Sequence, residues 1–235
     1  MGSGGTAIGQ AACALALAGC LGAPSAPSEP AGDASSDGSS ETECAWADDF
    51  DGAALDPIRW IIDDDPPDAT FRIEGSRLVM SAIPSGEAEF AEIELSTVDA
   101  LDIRGTTVTI DLGIDSTGAS DSYLAWAGST EWMGLGMDAG LMMAARGDNE
   151  DDGEFVELCS SCPSYQPERH RFWRIVADDS ELQFEASADG EEWSPVADPE
   201  PMRFLAGYLV LWVAGEAPGE IITRIERVSV DRCGS

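Results

Sequence analysis

The chain has 235 residues and 43% of them are apolar, which is enough for one domain with a buried core. Its 45 acidic and 12 basic residues give a formal net charge of −33. A surface this negative repels phosphates, so nucleic acid and anionic lipid are excluded as partners of the folded part. The same charge favours solubility and divalent cations.

The first 20 residues carry no charge, and a short apolar run extends from Ala11 to Ala18. Leu17-Ala18-Gly19-Cys20 resembles the lipobox of bacterial lipoproteins, which implies a signal peptide over residues 1–19 and lipid attachment at Cys20. Residues 20–43 are rich in Pro, Gly, Ser and acids, as expected of a flexible linker. Residues 1–10 contain neither of the basic residues, Lys and Arg, with which a signal peptide usually begins. A disordered leader is the alternative. The lipobox predicts a location in the cell envelope, with the outer membrane as the expected site.

Export changes how the cysteines are interpreted, because disulfides form in oxidising compartments. Cys44 and Cys233 bound the folded region, and domain termini often lie close together, so we predict a disulfide between them. Cys159-Ser-Ser-Cys162 is predicted to form a second, local disulfide. A redox role is the alternative, although the strand-to-helix setting that lowers a thiol pKa is missing. A metal site with His170 would still need a fourth ligand.

From Cys44 onward the sequence predicts short strands and no amphipathic helix. Phe71 to Met80 reads as a hairpin around Glu74-Gly75-Ser76, and alternating strands follow near residues 91–95 and 108–114. Tyr208 to Val213 is an unbroken apolar run, typical of a strand covered on both faces. In the closing segment, Ile225 and Val228 are out of phase, which predicts a bulge.

Residues 170–193, HRFWRIVADDSELQFEASADGEEW, alternate with a two-residue period on both sides of a polar turn and predict a hairpin. Their second half is close to the Asp-box of sialidase propellers, S-x-D-x-G-x-x-W. The match lacks one residue and occurs once, so no propeller is predicted. Asp189-Gly190 is interpreted instead as a tight turn leading to Trp193.

About a dozen such strands predict an all-β antiparallel β-sandwich. Asp49-Phe-Asp-Gly52, followed by Leu55-Asp-Pro57 and Trp60, resembles the opening of concanavalin A-like jelly-roll domains, the laminin-G and glucanase relatives found in bacterial envelope proteins. The segments GSRLVM, RFWRI, FEASADGEEW and the closing IERVSV are similar to later strands of that family. The resemblance implies one jelly-roll domain over residues 44–233.

Glucanases of this class carry their catalytic acids on one strand face as E-x-D-x-E. The nearest match is Glu92-Ile-Glu94-Leu-Ser96, in which the third acid is missing. Same-face neighbours on a strand lie about 7 Å apart, a spacing that glycoside hydrolysis by two carboxylates can use. Hydrolysis by Glu92 and Glu94 is therefore an alternative function. His170, flanked by arginines, is interpreted as a solvated strand-end residue.

Three aromatic residues, Tyr123, Trp126 and Trp132, surround a loop rich in Gly, Ser and Thr. Sugars stack on such rings, so these residues are candidate carbohydrate-binding residues. Packing in the sandwich core is the competing interpretation. The other four tryptophans are predicted to pack in the core or against turns: Trp60, Trp173, Trp193 and Trp212.

Asp148, Glu150, Asp152 and Gly153 occupy positions 1, 3, 5 and 6 of a calcium-loop pattern. Position 12 is Cys159, which excludes an EF-hand. Laminin-G relatives often carry calcium near the sandwich rim, so the resemblance implies a single-loop Ca²⁺ site. A solvated acidic loop is the alternative.

Together these features predict an envelope lipoprotein that binds carbohydrate or another envelope component without catalysis. A glycoside hydrolase of the same fold and a protein-binding adhesion module are the alternatives.

Overall fold

The computed structural model describes residues 45–63, 68–85, 90–117, 120–149, 154–217 and 219–232. These residues form two antiparallel sheets that pack face to face around one hydrophobic core, which confirms the predicted all-β sandwich. The expected signal peptide, Cys20, Cys44 and Cys233 lie outside the described residues, so lipidation and the terminal disulfide stay predictions. In the described part of the chain, no helix has the length and apolar character needed to cross a membrane.

The strands of the described residues, in chain order, are β1 (Trp46–Asp48), β2 (Trp60–Asp63), β3 (Ala69–Ile73), β4 (Leu78–Ala82), β5 (Phe90–Thr97), β6 (Leu101–Asp102), β7 (Thr106–Thr117), β8 (Ser120–Ala127), β9 (Glu131–Asp138), β10 (Leu141–Asp148), β11 (Phe155–Glu157), β12 (Phe172–Ala177), β13 (Glu181–Ser187), β14 (Trp193–Pro195), β15 (Glu200–Pro201), β16 (Ala206–Glu216) and β17 (Glu220–Arg232). The first sheet has the order β14-β13-β12-β7-β17-β4-β3, with β1 beside β17 and β15 beside β13. The second has the order β11-β10-β9-β8-β16-β5-β2, with β6 beside β16.

The predicted hairpin at residues 71–80 is confirmed as β3 and β4. Gly75 and Ser76 have φ values of 62° and 58° at its turn. Two successive positive φ values are typical of a type I′ turn, whose twist matches that of the flanking strands. The turn therefore fixes the register in which Ile73 lies opposite Leu78.

The hairpin predicted at residues 170–193 is confirmed as β12 and β13, with β14 following. In the first turn, the Asp178 carboxylate accepts hydrogen bonds from the backbone N–H groups of Ser180 and Glu181, and these bonds lower its pKa. The second turn uses Asp189 in the same way. Trp193 packs outside the core, where the Arg174 guanidinium lies 4.1 Å above its ring.

The predicted bulge in β17 is confirmed by a register shift between Ile225 and Arg227 against β7. The extra residue lets both Ile225 and Val228 face the core, where both are buried. At the other side of β17, Trp46 of β1 lies opposite Val230, so the two ends of the described chain are neighbours.

The core lies between the two sheets and includes three fully buried aromatic side chains, Trp126, Trp173 and Phe184. Trp60 is also buried, and its indole N–H donates to Asp48 at 2.8 Å. The same Asp48 carboxylate accepts the backbone N–H of Phe50 at 2.9 Å. The turn that resembles the jelly-roll opening is thus attached to the core through one carboxylate.

Candidate ligand-binding face

The second sheet has aromatic side chains on its outer surface as well as in the core. Alternate residues of β8, such as Leu124 and Trp126, point to the core, and their neighbours point outward into a second apolar cluster. We call this outward surface the aromatic face. Its rings, which lie on β8, β9, β11 and β16, are Tyr123, Trp132, Phe155, Tyr208 and Trp212.

Four of these rings form a continuous row across the sheet. The ring centroids of Trp212 and Tyr123 are 5.7 Å apart, as are those of Tyr123 and Trp132, and Phe155 follows at 5.9 Å. The two middle rings are largely covered, with Tyr123 only 7% and Trp132 9% exposed. Phe155 is 43% exposed and Trp212 is partly exposed, so a ligand would reach the row at its ends.

Glycines explain why the middle rings can lie so close to the sheet. Gly136 lies directly opposite Tyr123 in the β8–β9 register, and a Cβ there would overlap the Tyr123 ring. A Cβ at Gly147 would lie 2.6 Å from the Trp132 indole nitrogen. Each ring therefore fills the space that a side chain on the neighbouring strand would occupy.

The strand pattern places Glu92 and Glu94 of β5 beside the aromatic row. Glu94 lies opposite Trp212 on β16, and the Trp212 indole N–H donates to the Glu92 carboxylate at 3.1 Å. The third position of the E-x-D-x-E pattern is Ser96, which is only 6% exposed. Within the described strands of the second sheet, none carries acids at three alternating positions.

A second carboxyl pair, which the sequence did not predict, lies next to these residues. Asp121 on β8 is directly opposite Asp138 on β9. Burial and the adjacent Asp138 together raise the pKa of Asp121 to about 8, because burial disfavours the charged form and two carboxylates this close disfavour double ionisation. The Ala139 backbone N–H opposes this shift. Near neutral pH the pair therefore holds a proton between its two carboxyl groups.

The structure corrects two predictions about tryptophans. Trp126 was a candidate ligand contact, but it is fully buried between the sheets, so that prediction is wrong. Trp212 was expected in the core or against a turn, yet it lies on the aromatic face. Tyr123 and Trp132 do lie on that face, where they support the exposed ends of the row.

Cys159 and Cys162 are joined by a disulfide, and both pack against the aromatic face. The segment around them continues along β10, because Leu158 N–H donates to Ala144 O and Met142 N–H donates to Pro163 O. His170 is bonded elsewhere: its Nδ1 accepts the Gln166 N–H at 3.0 Å. It lies just before β12, where it is partly exposed, and partial burial lowers its pKa.

The predicted calcium loop is described only in part. Asp148 ends β10 and its carboxylate accepts the backbone N–H of Glu154 at 3.4 Å, whereas Glu150 and Asp152 lie outside the described residues. Among the residues that the structure does describe, no three His, Cys, Asp or Glu side chains converge in a way that could hold a metal ion.

No protein-family model matches the sequence, and no curated protein matches it. Solved structures do match the fold. A β-1,3-glucanase from Mycobacterium marinum has a TM-score of 0.55 at 15% identity, over 79% of this chain and 97% of that one. A glycosyl hydrolase family 16 protein from Mycobacterium smegmatis has a TM-score of 0.52 at 15% identity, over 79% and 98%. A structure reported with endo-acting O-glycanases of the human gut microbiota has 0.59 at 12% identity, over 80% and 99%.

These similarities, together with the sheet order, show that the chain folds as a two-sheet antiparallel jelly-roll sandwich like those structures. The concanavalin A-like fold implied by the sequence is confirmed. Identities of 12 to 15% show the fold alone.

Proposed function

We propose that this protein binds carbohydrate without cleaving it, at the aromatic face. The observation that carries the proposal is the row of rings that ends at the partly exposed Trp212, with Glu92 and Glu94 beside it. Sugar rings stack their C–H faces on indole rings, and carboxylates accept hydrogen bonds from sugar hydroxyls. The names of the similar structures, a glucanase and an O-glycanase, support a glycan as the ligand.

Two observations favour binding over hydrolysis. Glu92 accepts a hydrogen bond from the Trp212 indole, so it is part of the surface that a sugar would stack on. The strand that carries it has Ser96 where a third acid would complete the glucanase pattern. A glycoside hydrolase that uses Glu92 and Glu94 remains the alternative, because two carboxylates on one strand face suffice for that chemistry.

The Trp212→Ala variant is expected to bind glycans about five- to thirtyfold more weakly, because it removes the accessible stacking surface and stacking contributes about 1 to 2 kcal/mol. Affinity of the full-length chain for glycans that the wild type retains on a glycan array would be measured by calorimetry. Trp193→Ala, on the outer side of the first sheet, is the matched control and is expected to bind like the wild type.

Mass spectrometry of the retained glycans distinguishes binding from hydrolysis. Intact glycans support the proposal. Cleavage that disappears in Glu94→Gln would establish the hydrolase, and protein capture without any glycan signal would favour the adhesion module.

We also propose that the protein is held in the cell envelope through a lipid on Cys20. The lipobox-like Leu17-Ala18-Gly19-Cys20 and the acidic linker after it support this proposal. Metabolic labelling with an alkynyl fatty acid in a bacterial host is expected to label the wild type and not Cys20→Ser. Equal labelling of Cys20→Ser and a Cys13→Ser control would contradict the anchor site.

A further inference from the structure

The aromatic face has a definite sign of charge. Glu92 and Glu94 lie on β5. Glu92 belongs to a line of directly opposed residues that runs across four strands through Ala214, Asp121 and Asp138. Glu94 belongs to the next line of opposed residues on the same face, together with Trp212 and Tyr123. Such neighbouring lines are about 7 Å apart, so the carboxyl groups lie beside the Trp212 and Tyr123 end of the aromatic row.

None of the strands that form this face contributes an arginine to it. β5, β8, β9, β11 and β16 contain neither Arg nor Lys. The arginine of β10, Arg146, has the core-facing phase and pairs with Glu200 of β15 in the other sheet at 3.4 Å. The charged groups that these strands turn to the aromatic face are therefore carboxyl groups.

The outer side of the first sheet is built differently. There Arg171 pairs with Asp111 at 2.7 Å, Arg174 pairs with Glu185, and Arg224 pairs with Asp115. Arginines and acids alternate across that surface. The contrast shows that an anionic surface without arginine is a property of the aromatic face and not of every strand surface in this acidic chain.

The chemistry of the face selects among glycans. An ionised carboxylate only accepts hydrogen bonds, whereas a sugar hydroxyl both donates and accepts. An ammonium group donates three hydrogen bonds and accepts none, and the π face of an indole attracts it electrostatically. A ligand that combines a C–H sugar face with ammonium groups therefore matches both the rings and the carboxyl groups.

We propose that the ligand of the aromatic face is a cationic glycan, a chain of amino sugars whose amino groups carry no acetyl group. This inference rests on the proposed carbohydrate-binding function and names the class of sugar. The sugar ring stacks on Trp212, and its ammonium group lies among Glu92, Glu94 and the Asp121–Asp138 pair. Charge complementarity between the face and the ligand then determines the selectivity.

The net charge of −33 attracts any polycation, so the test must separate this face from the rest of the surface. At an ionic strength of 0.15 M the Debye length is about 8 Å, so distant exposed charges are largely screened. A matched pair of variants removes the same number of charges at two places. Glu92→Gln/Glu94→Gln acts on the aromatic face, and Glu181→Gln/Glu191→Gln acts on exposed residues near β13.

The probes are the hexamer of glucosamine with free amino groups and the hexamer of N-acetylglucosamine, measured by calorimetry on the full-length chain at pH 6 and 0.15 M salt. We expect the free-amine hexamer to bind at least tenfold more tightly than its acetylated counterpart. Glu92→Gln/Glu94→Gln is expected to lose this preference, and Glu181→Gln/Glu191→Gln is expected to keep it. Circular dichroism and the unfolding midpoint establish that each variant is folded.

Equal affinity for the two hexamers in the wild type would overturn the cationic ligand and leave the carbohydrate-binding proposal in place. Loss of the preference in both double variants would assign it to overall charge and also overturn the inference. Absence of binding to these hexamers and to every glycan of the array would overturn the proposed function itself.

Discussion

The Asp121→Asn variant is expected to be more stable than the wild type at pH 9, by a free energy of unfolding on the order of 6 kcal/mol. Burial and the neighbouring Asp138 raise the pKa of Asp121 from 3.8 to about 8 in the folded protein. In the unfolded chain the Asp121 carboxyl group has a pKa near its ordinary value. The wild type therefore loses stability as the pH rises from about 4 to about 8, because the folded state resists ionisation.

Asparagine does not ionise, so the variant avoids the cost that the wild type incurs when the buried Asp121 carboxyl group loses its proton at high pH. Its amide can donate to the Asp138 carboxylate, and its carbonyl oxygen can still accept the Ala139 N–H, so the local hydrogen bonds are kept. The difference in stability between variant and wild type is expected to be small at pH 4.5, to grow up to about pH 8 and then to stay constant. Urea unfolding monitored by tryptophan fluorescence across this range measures it.

The control is Asp198→Asn, which removes an exposed carboxylate between β14 and β15. Its difference from the wild type is expected to stay within about 0.5 kcal/mol at every pH. A difference for Asp121→Asn that does not change between pH 4.5 and 9 would show that the pair is not protonated near neutrality.

The strands could be predicted from the sequence because local rules determine them. The turn at Gly75 and Ser76 needs positive φ values, and the hairpin of β12 and β13 alternates with a clear period of two. The bulge in β17 also left a local signal, since Ile225 and Val228 cannot both face the core without an extra residue between them.

The faces of the apolar strands could not be predicted in the same way. In Tyr208 to Val213 and around Trp126 both phases are apolar, so alternation gives no information on which side meets the core. The sequence therefore cannot distinguish the core position of Trp126 from the outward position of Trp212. The second sheet has apolar residues on both sides, and the outer ones pack on one another and on the disulfide of Cys159 and Cys162.

The carboxyl pair was invisible in the sequence for a related reason. Asp121 and Asp138 meet only because β8 and β9 pair in one register, and that register depends on the whole sheet. Glu92 and Glu94, by contrast, are two residues apart on one strand, so their common face follows from the strand period alone. Local patterns thus revealed half of the carboxyl groups at the candidate site.

Gly136→Ala tests whether the aromatic row depends on the space that glycine leaves. A Cβ at this position would overlap the Tyr123 ring and come 2.5 Å from the Ser122 carbonyl oxygen. Because the second contact is with backbone, the strand must shift, and we expect a loss of stability of about 2 to 3 kcal/mol. Because the Tyr123 ring packs against Trp212, displacing it removes support from Trp212, and glycan affinity is expected to fall severalfold.

Gly113→Ala on β7 is the matched control, since a Cβ there meets no heavy atom within 4 Å. Alanine reduces the freedom of the unfolded chain, so this variant is expected to be unchanged or more stable by up to about 1 kcal/mol. Urea unfolding at pH 7 and calorimetric titration with the same glycan compare the two substitutions. Equal stability of Gly136→Ala and Gly113→Ala would contradict the packing of Tyr123 on Gly136, and with it the support that the middle rings give to the exposed end of the row.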